Sequence, residues 1–448
     1  MKSQRVFLRG LLAGLFTGLA LLWAGLSSEA GIGDRLSQRM LDAKVESDAQ
    51  RSLARGRASF RSDTFGDESF WSGKLRLHEA LAGEANGGVG PGVSPATALA
   101  VGLKVDAEAL PDALKAKIVR GEVDLQSPAT TLALLSLDSV VGVKGTFGGD
   151  GRLEAVGITC AACHSTVDDS FAPGIGRRLD GYANRDLNVG AIIGLAPDLS
   201  AFTSHLGADE ATVRQVLASW GPGKFDAALL LDGKAFRPDG KSGATLIPPA
   251  YGLAGVNLHT STGWGSVTHW NAFVANLEMN GKGNFYDPRL DDPVKFPLAA
   301  RSRMGHVRTD DDRITPALAD LQFYQLALAA PRPPQGSFDQ EAATRGGTIF
   351  SGKADCARCH VPPIYTDPGW NMHRGEEIGI DEFQSSRAPD DAYRTTPLRG
   401  LWAHQKGGFY HDGRFASLDD VVGHYDAFFR LGLTTDEKRD LIEFLKSL

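Results

Sequence analysis

Two copies of the pattern Cys-x-x-Cys-His constrain this chain more than any other feature of its sequence. Their residues are Cys160, Cys163 and His164 in the first copy, and Cys356, Cys359 and His360 in the second. This spacing is the attachment signature of a c-type haem, because two thiols must reach the two vinyl groups of one porphyrin while the following imidazole ligates the iron. All four cysteines of the chain belong to these copies. The sequence therefore predicts two covalently bound haems with His164 and His360 as proximal ligands.

Zinc and thiol chemistry are the competing interpretations of these motifs. A zinc ribbon would combine two Cys-x-x-Cys pairs into four thiolates. A thioredoxin-like dithiol would lie in a βαβ pattern and would rarely carry a histidine directly after it. Two complete motifs, no spare cysteine and an export signal favour haem over these alternatives and over a chance match.

The first thirty residues are predicted to be an export signal. Basic residues precede an apolar run over 11–26, and the small residues Ser28 and Ala30 precede the expected cleavage point. An uncleaved anchor is the alternative, because the run is only a little shorter than the roughly 20 apolar residues of a spanning helix. Both interpretations predict a periplasmic protein.

The chain is long enough for several domains, with 448 residues of which 42% are hydrophobic. After the signal peptide at 1–30, we expect an N-terminal extension over 31–150 and a first, peroxidatic haem domain over 151–330. A second, electron-transfer haem domain follows over 331–448, beginning at a proline-rich linker. The predicted fold class is therefore mainly α, with two cytochrome c-type haem domains and an N-terminal helical extension.

Capping signals predict helices on both sides of the second motif. Ser337 and Gln340 form the pattern of a capping box, which predicts a helix that ends at Phe350. Thr434 and Glu437 form another, which predicts a terminal helix with an apolar stripe. A helix before the motif and a terminal helix across it are typical of a cytochrome c domain.

Two stretches of the second haem region, 393–402 and 409–425, resemble the C-terminal half of bacterial dihaem cytochrome c peroxidases. They read Tyr-Arg-Thr-Thr-Pro-Leu-Arg-Gly-Leu-Trp and Phe-Tyr-His-Asp-Gly-Arg-Phe-Ala-Ser-Leu-Asp-Asp-Val-Val-Gly-His-Tyr. The superfamily also holds the MauG enzyme, which matures a tryptophan-derived quinone, and haem rubber oxygenases. The resemblance is strong over 339–448, patchy over 157–279 and absent before residue 151.

The resemblance implies an oxidoreductase in which hydrogen peroxide reacts at the first haem while the second haem transfers electrons. The implied donor is a small redox protein, either a c-type cytochrome or a cupredoxin. Typical members carry a distal histidine that blocks the first iron. Here no histidine lies between His164 and His205, which predicts an open iron.

The ligand of the second haem is also implied by the resemblance. It follows the family's His-Asp-Gly motif at a fixed spacing, as Met in typical peroxidases and Tyr in the MauG type. Counting from His411 gives Tyr425. The neighbouring His424 and the more distant Met372 are the alternatives.

Glu278 is the implied general acid/base. Peroxide chemistry needs a group that moves a proton between the two oxygens. The family uses a Glu in an Asn-Pro-x-Glu-Met stretch, and 276–279 is similar but lacks the proline. The family's glutamine falls on Thr268 here, and His259 or His269 could line the distal pocket instead.

Two further family features have no clear counterpart. Trp264 or Trp270 could replace the tryptophan that lies between the haems. Calcium often binds between the domains through an Asn and two backbone carbonyls. Lys406 and Gly408 stand at the carbonyl positions, and a lysine ammonium beside Ca²⁺ is unfavourable unless it points away. Calcium therefore stays open.

Two other functions remain open. One is a dihaem electron carrier without catalysis. The other is a dioxygen-using enzyme similar to rubber oxygenases, for which the stretch 247–252 and the missing distal histidine are the signals. A net charge of -7 argues against nucleic acid as a partner, because phosphate binding needs a basic face. A homodimer is left open.

Overall fold

The computed structural model describes residues 37–404 and 406–448. The export signal and the alternative membrane anchor lie outside these residues. Within the described part of the chain, no helix combines the length and the apolar character that crossing a membrane requires. The chain divides into two compact units between Ala54 and Arg55. Residues 37–62 are helical.

Short α-helices dominate the larger unit, which confirms the mainly α prediction. Their bounds are Glu68–Trp71, Leu77–Ala82, Pro95–Ala100, Asp112–Val119, Pro128–Ser136, Ala161–His164, Val189–Ile193, Ser200–Leu206, Glu210–Trp220, Leu229–Asp232, Val267–Phe273, Pro297–Ser302, Leu318–Ala327, Gln340–Ser351, Leu418–Phe429 and Thr435–Ser447. Shorter 3₁₀ turns lie at Glu84–Asn86, Ala107–Ala109, Pro288–Asp291, Thr315–Ala317, Cys356–Arg358, Gly375–Glu377, Ser385–Arg387 and Leu401–His404. A π-helical turn, Val274–Glu278, continues directly from Val267–Phe273.

The strands pair two by two and form no larger sheet among the described residues. They are Val105–Asp106 with Ile175–Gly176, Val143–Phe147 with Leu153–Ile158, Ser165–Val167 with Arg178–Asp180, Lys224–Phe225 with Thr245–Leu246, and Phe285–Tyr286 with His306–Val307. The first pair is parallel and the others are antiparallel. The hairpin of Val143–Phe147 and Leu153–Ile158 spans residue 150, where the sequence places a domain boundary. That boundary, like the one at 330, stays a prediction.

One apolar core joins the region before residue 150 to the region after it. Trp71 and Leu135 are buried in it from the first side, and Val156 and Trp220 from the second. The transfer of this surface out of water is the main force that holds the two regions together.

A separate core surrounds the second motif. Phe350, Leu418, Val422 and Leu441 are buried in it. Helix Gln340–Ser351 approaches the terminal helix closely, because a Cβ at Gly346 would lie 2.0 Å from the backbone oxygen of Asp440. Only glycine fits that crossing.

The two predicted helix starts have different outcomes. Thr434 and Glu437 form the reciprocal capping box that the sequence predicts. At the other helix the predicted start is wrong by two residues. Asp339 is the N-cap there, and its carboxylate accepts hydrogen bonds from the backbone N–H groups of Glu341 and Ala342. A carboxylate at that position can satisfy two free N–H groups.

Candidate haem sites

The first motif forms a single helical turn, Ala161–His164, after strand Leu153–Ile158. Nδ1 of His164 lies 3.0 Å from the backbone oxygen of Pro248. A carbonyl oxygen can only accept, so Nδ1 carries the proton and Nε2 is left as the ligating nitrogen. Burial lowers the pKa of His164 to about 4, which keeps the ring neutral, as iron ligation requires.

The second motif repeats this arrangement in a 3₁₀ turn, Cys356–Arg358. Nδ1 of His360 donates to the backbone oxygen of Tyr365 over 3.2 Å. Burial lowers the pKa of this imidazole as well. Both proximal histidines therefore have the tautomer and the orienting hydrogen bond of a haem ligand.

The cysteines fit haem attachment better than zinc or a dithiol. None of the four forms a disulfide. Burial raises the pKa of Cys160 and Cys163 to about 12, so both thiols are neutral and differ from a reactive thiolate. Within the described residues, the ligand atoms of the two motifs do not gather into one metal cluster.

A group of three possible metal ligands adjoins the second motif. Ligand atoms of Cys359, Asp367 and His373 lie within 4.8 Å of one another. Nε2 of His373 is 2.7 Å from the carboxylate of Asp367. The sulfur of Cys359 is committed once haem is attached, because it becomes a thioether. The Asp367–His373 pair is then a hydrogen-bonded support beside the motif.

A small, mostly apolar cavity has Glu278 in its wall. Its wall is mostly aromatic and aliphatic, and includes Trp71, Phe202, Trp220 and Phe225. The carboxyl of Glu278 is also close to the first motif. Burial raises the pKa of Cys163, and the charge of Glu278 adds to this rise. An apolar cavity with a few polar groups is the usual environment of an organic cofactor. The two thiols and His164 of the motif, together with this apolar wall close to Cys163, are therefore residue types that fit a covalently attached porphyrin.

Glu278 ends the π-helical turn Val274–Glu278. Such turns within helices are frequent at functional sites. Both carboxylate oxygens are buried, and neither has a hydrogen-bond partner among the described residues. Burial, reinforced by the charge of Asp226, raises the pKa of Glu278 well above its usual value. Burial thus favours the protonated form of this carboxyl group, which lines the cavity.

Asp226 is a second carboxyl in the cavity wall, and sequence reasoning missed it. Burial raises its pKa to about 6, and the adjacent guanidinium of Arg387 opposes that rise. Nη2 of Arg387 lies 3.0 Å from Asp226, and Nε lies 2.7 Å from Asp232. All three side chains are almost fully buried. No sequence signal identifies this group, because Arg387 is 161 residues from Asp226.

Tyr425 lies on helix Leu418–Phe429, which a capping box at Ser417 starts. Burial raises the pKa of Tyr425, and the thiols of Cys356 and Cys359 add to the rise. The phenol is therefore buried in the neighbourhood of the second motif. Its ring stacks on Phe429, with the centroids 5.7 Å apart.

The two alternatives to Tyr425 have other contacts. Nε2 of His424 donates to the backbone oxygen of Ile378 over 2.9 Å. Met372 packs against Gly263, where its sulfur would be 2.7 Å from an added Cβ. Tyr425 has a contact of its own as well, a side-chain hydrogen bond with Tyr410, so its role as the ligand stays a prediction.

The remaining polar candidates of the first haem region have partners of their own. Nε2 of His269 is 3.0 Å from Asp287, and Thr268 donates to Gln322 over 2.6 Å. Nε2 of His259 is 3.2 Å from the backbone oxygen of Val256.

The two tryptophans belong to one aromatic cluster. Trp270 stacks on Phe273 at 4.7 Å, and Trp264 is 5.3 Å from the same ring. Arg289 covers Trp264 at 5.7 Å. These contacts are those of packed core rings.

At the position where related proteins bind calcium, two lysine ammonium groups contact one carboxylate. Lys406 forms an ion pair with Asp186, whose other oxygen lies 2.7 Å from Nζ of Lys104. Two cations beside one carboxylate oppose the binding of Ca²⁺, which prefers several oxygen ligands.

Comparison with known proteins gives the following relatives. No family model matches the chain. The methylamine utilization protein MauG of Methylorubrum extorquens is 28% identical over 234 residues, which cover 45% of this chain and 63% of that protein. Cytochrome-c peroxidase IdrP1 of Denitromonas iodatirespirans is 28% identical over 232 residues, which cover 40% of this chain and 60% of that protein. The chain thus spans less than two thirds of the length of these curated relatives.

Among solved structures, a MauG-like protein associated with microbial copper homeostasis is 18% identical. The match has a TM-score of 0.32 and covers 48% of this chain and 77% of that one. The curated relatives support the place of the chain in the superfamily of MauG and the dihaem cytochrome c peroxidases, as its motifs predict.

Proposed function

We propose that the protein, as a member of that superfamily, is a periplasmic dihaem c-type oxidoreductase that uses peroxide at an open first haem. Electrons would pass through the second haem to or from a small redox protein, a c-type cytochrome or a cupredoxin. The observation that carries the proposal is Glu278, a buried carboxyl close enough to Cys163 to raise the pKa of that thiol and without a hydrogen-bond partner among the described residues.

Two covalent haems are part of this proposal. Cys160 and Cys163 would hold the first haem, and His164 would ligate its iron. Cys356 and Cys359 would hold the second with His360. The orienting hydrogen bonds of both histidines and the neutral thiols support these assignments.

When bound, the first haem would supply an iron that binds peroxide and would pass on the two electrons, drawn from the redox partner, that cleavage of the O–O bond consumes. Protonated Glu278 would donate its proton to the oxygen that leaves as water, and its carboxylate would then take up the proton that the other peroxide oxygen releases. The apolar wall of the cavity excludes bulk water from this exchange. Asp226 stabilises the protonated state of Glu278 in which the cycle begins and ends.

Tyr425 would hold the iron of the second haem together with His360. A phenolate oxygen is a hard anionic ligand, which favours ferric over ferrous iron. Since burial disfavours a free phenolate here, the charged form of Tyr425 needs the iron as its counter-ion.

Turnover assays test the proposed function. The exported protein is mixed with hydrogen peroxide and a reduced c-type cytochrome, and separately with dioxygen and no donor. We expect peroxide-dependent oxidation of the cytochrome. Turnover with dioxygen alone would instead support the enzyme similar to rubber oxygenases, and no turnover in either assay would support the electron carrier.

A further inference from the structure

Two arginines are buried between the two predicted haem regions without an acidic partner. Nε and Nη1 of Arg185, and Nη1 of Arg394, have no hydrogen-bond partner among the described residues. Burial lowers the pKa of each guanidinium to about 10, and no carboxyl of the described part of the chain counters it. An unpaired buried charge is costly, so a structure that retains two of them points to an anion that comes from elsewhere.

Arg185 connects the first motif to a loop of the second region. The preceding residue, Asn184, donates its backbone N–H to the oxygen of Cys163 over 2.8 Å. The guanidinium reaches Gly407, with Nη1 3.7 Å from the position of an added Cβ. Burial and the charge of Arg185 lower the pKa of His404 to about 3. Nε2 of His404 also lacks a partner among the described residues, so it can bind the same anion.

Arg394 makes the reverse connection. Its backbone N–H donates to the oxygen of Ser261 over 2.9 Å, and its Nε donates to the oxygen of Thr260 over 2.8 Å. These contacts fix the side chain against the first region. Two residues further on, the backbone at Thr396 hydrogen-bonds His360, the proximal residue of the second motif. The backbone of Arg394 is thus two residues from a contact of the second proximal histidine, while its side chain is held against the first region.

Three carboxylates of the first predicted haem region already have cationic partners. Asp186 accepts from Lys104 and Lys406, and Asp226 and Asp232 both bind Arg387. Arg387 differs from Arg185 and Arg394, because two buried carboxylates compensate the charge of its buried guanidinium. A c-type haem brings two propionate carboxylates with it, and a guanidinium matches a carboxylate with paired N–H donors.

We propose that Arg185, with His404, binds a propionate of the first haem, and that Arg394 binds a propionate of the second. This assignment rests on the proposed dihaem function. Each of the two arginines has contacts with both predicted haem regions, so haem attachment would also neutralise the charges that the two regions bury between them. A free anion such as phosphate is the other source of the same chemistry.

The test compares Arg185→Met and Arg394→Met with Arg185→Lys and Arg394→Lys. The exposed Arg177 and Arg399, each replaced by Met, are matched controls. Haem content is measured by mass spectrometry, and the midpoint potential of each haem by spectroelectrochemistry. Loss of a buried positive charge should make reduction of the adjacent haem about tenfold less favourable, which for one electron is about 59 mV. The Lys variants keep the positive charge, so the midpoint potentials of their haems should stay close to those of the wild type.

Potentials in both Met variants equal to those of the controls would overturn the proposal. If the Met variants do not fold or do not attach haem, the potentials of the Lys variants and the infrared spectra of the wild type provide the test. Infrared spectra of the wild type should show propionates that stay ionised from about pH 8 down to about pH 5. Titration of all of them in that range would contradict the proposal, and so would wild-type potentials that follow the phosphate concentration. A wild-type protein without covalent haem would instead refute the dihaem function.

Discussion

Burying a carboxyl group without a hydrogen-bond partner lowers the stability of the folded state, and Glu278 has no such partner among the described residues. Stability alone does not explain such a group. Burial and the neighbouring Asp226 raise the pKa of Glu278, which favours its protonated form. This is the state that a proton donor to peroxide needs.

Glu278→Gln should leave both haems attached and slow the reaction with peroxide by about 10² to 10⁴, because a positioned acid/base contributes about that much. Stopped-flow absorbance after mixing with peroxide measures the rate. The exposed Glu108, replaced by Gln, is the control and should react as the wild type does. An unchanged rate in Glu278→Gln would move the proton role to His259 or His269.

At the scale of one helix, successive side chains point about 100° apart. This separates the roles of neighbours on Leu418–Phe429. His424 bonds the backbone of Ile378, whereas Tyr425 is buried near the thiols of the second motif. Family spacing alone could not distinguish the two, because both lie at nearly the same position.

Tyr425→Phe should convert the second haem from low-spin to high-spin, with little change in the spectrum of the first haem. Phenylalanine keeps the ring packing on Phe429 and removes only the ligating oxygen. His424→Phe is the matched control and should keep the low-spin spectrum. A low-spin spectrum in Tyr425→Phe would mean that Tyr425 is a packed core residue.

Arg387 is the last residue of the 3₁₀ turn Ser385–Arg387, and its side chain forms ion pairs with Asp226 and Asp232 of the first predicted haem region. Arg387→Met leaves Asp226 and Asp232 buried without their counter-ion. Removing one member of a buried ion pair costs about 3 to 5 kcal/mol. The free energy of unfolding in urea measures this cost, with the exposed Arg374→Met as control. A loss below about 1 kcal/mol would show that the two carboxyls are neutral in the folded protein.

Across the whole molecule, local patterns in the sequence predicted local features. The two haem motifs, the mainly α class and the capping box at Thr434 depend on residues a few positions apart. The features that sequence reasoning missed join distant residues, as Arg387 joins Asp226 across 161 positions. Nothing in the local composition reveals such a pair. The strands are equally hard to predict, since many contain only two residues.

The central claim is that the folded protein holds two haems of different kinds, an open one at His164 and one closed by Tyr425. The electron paramagnetic resonance spectrum of the fully oxidised protein tests this claim most directly. The account predicts one high-spin ferric signal and one low-spin ferric signal in equal amounts. Two low-spin signals would contradict it, because neither iron would then be free to bind peroxide.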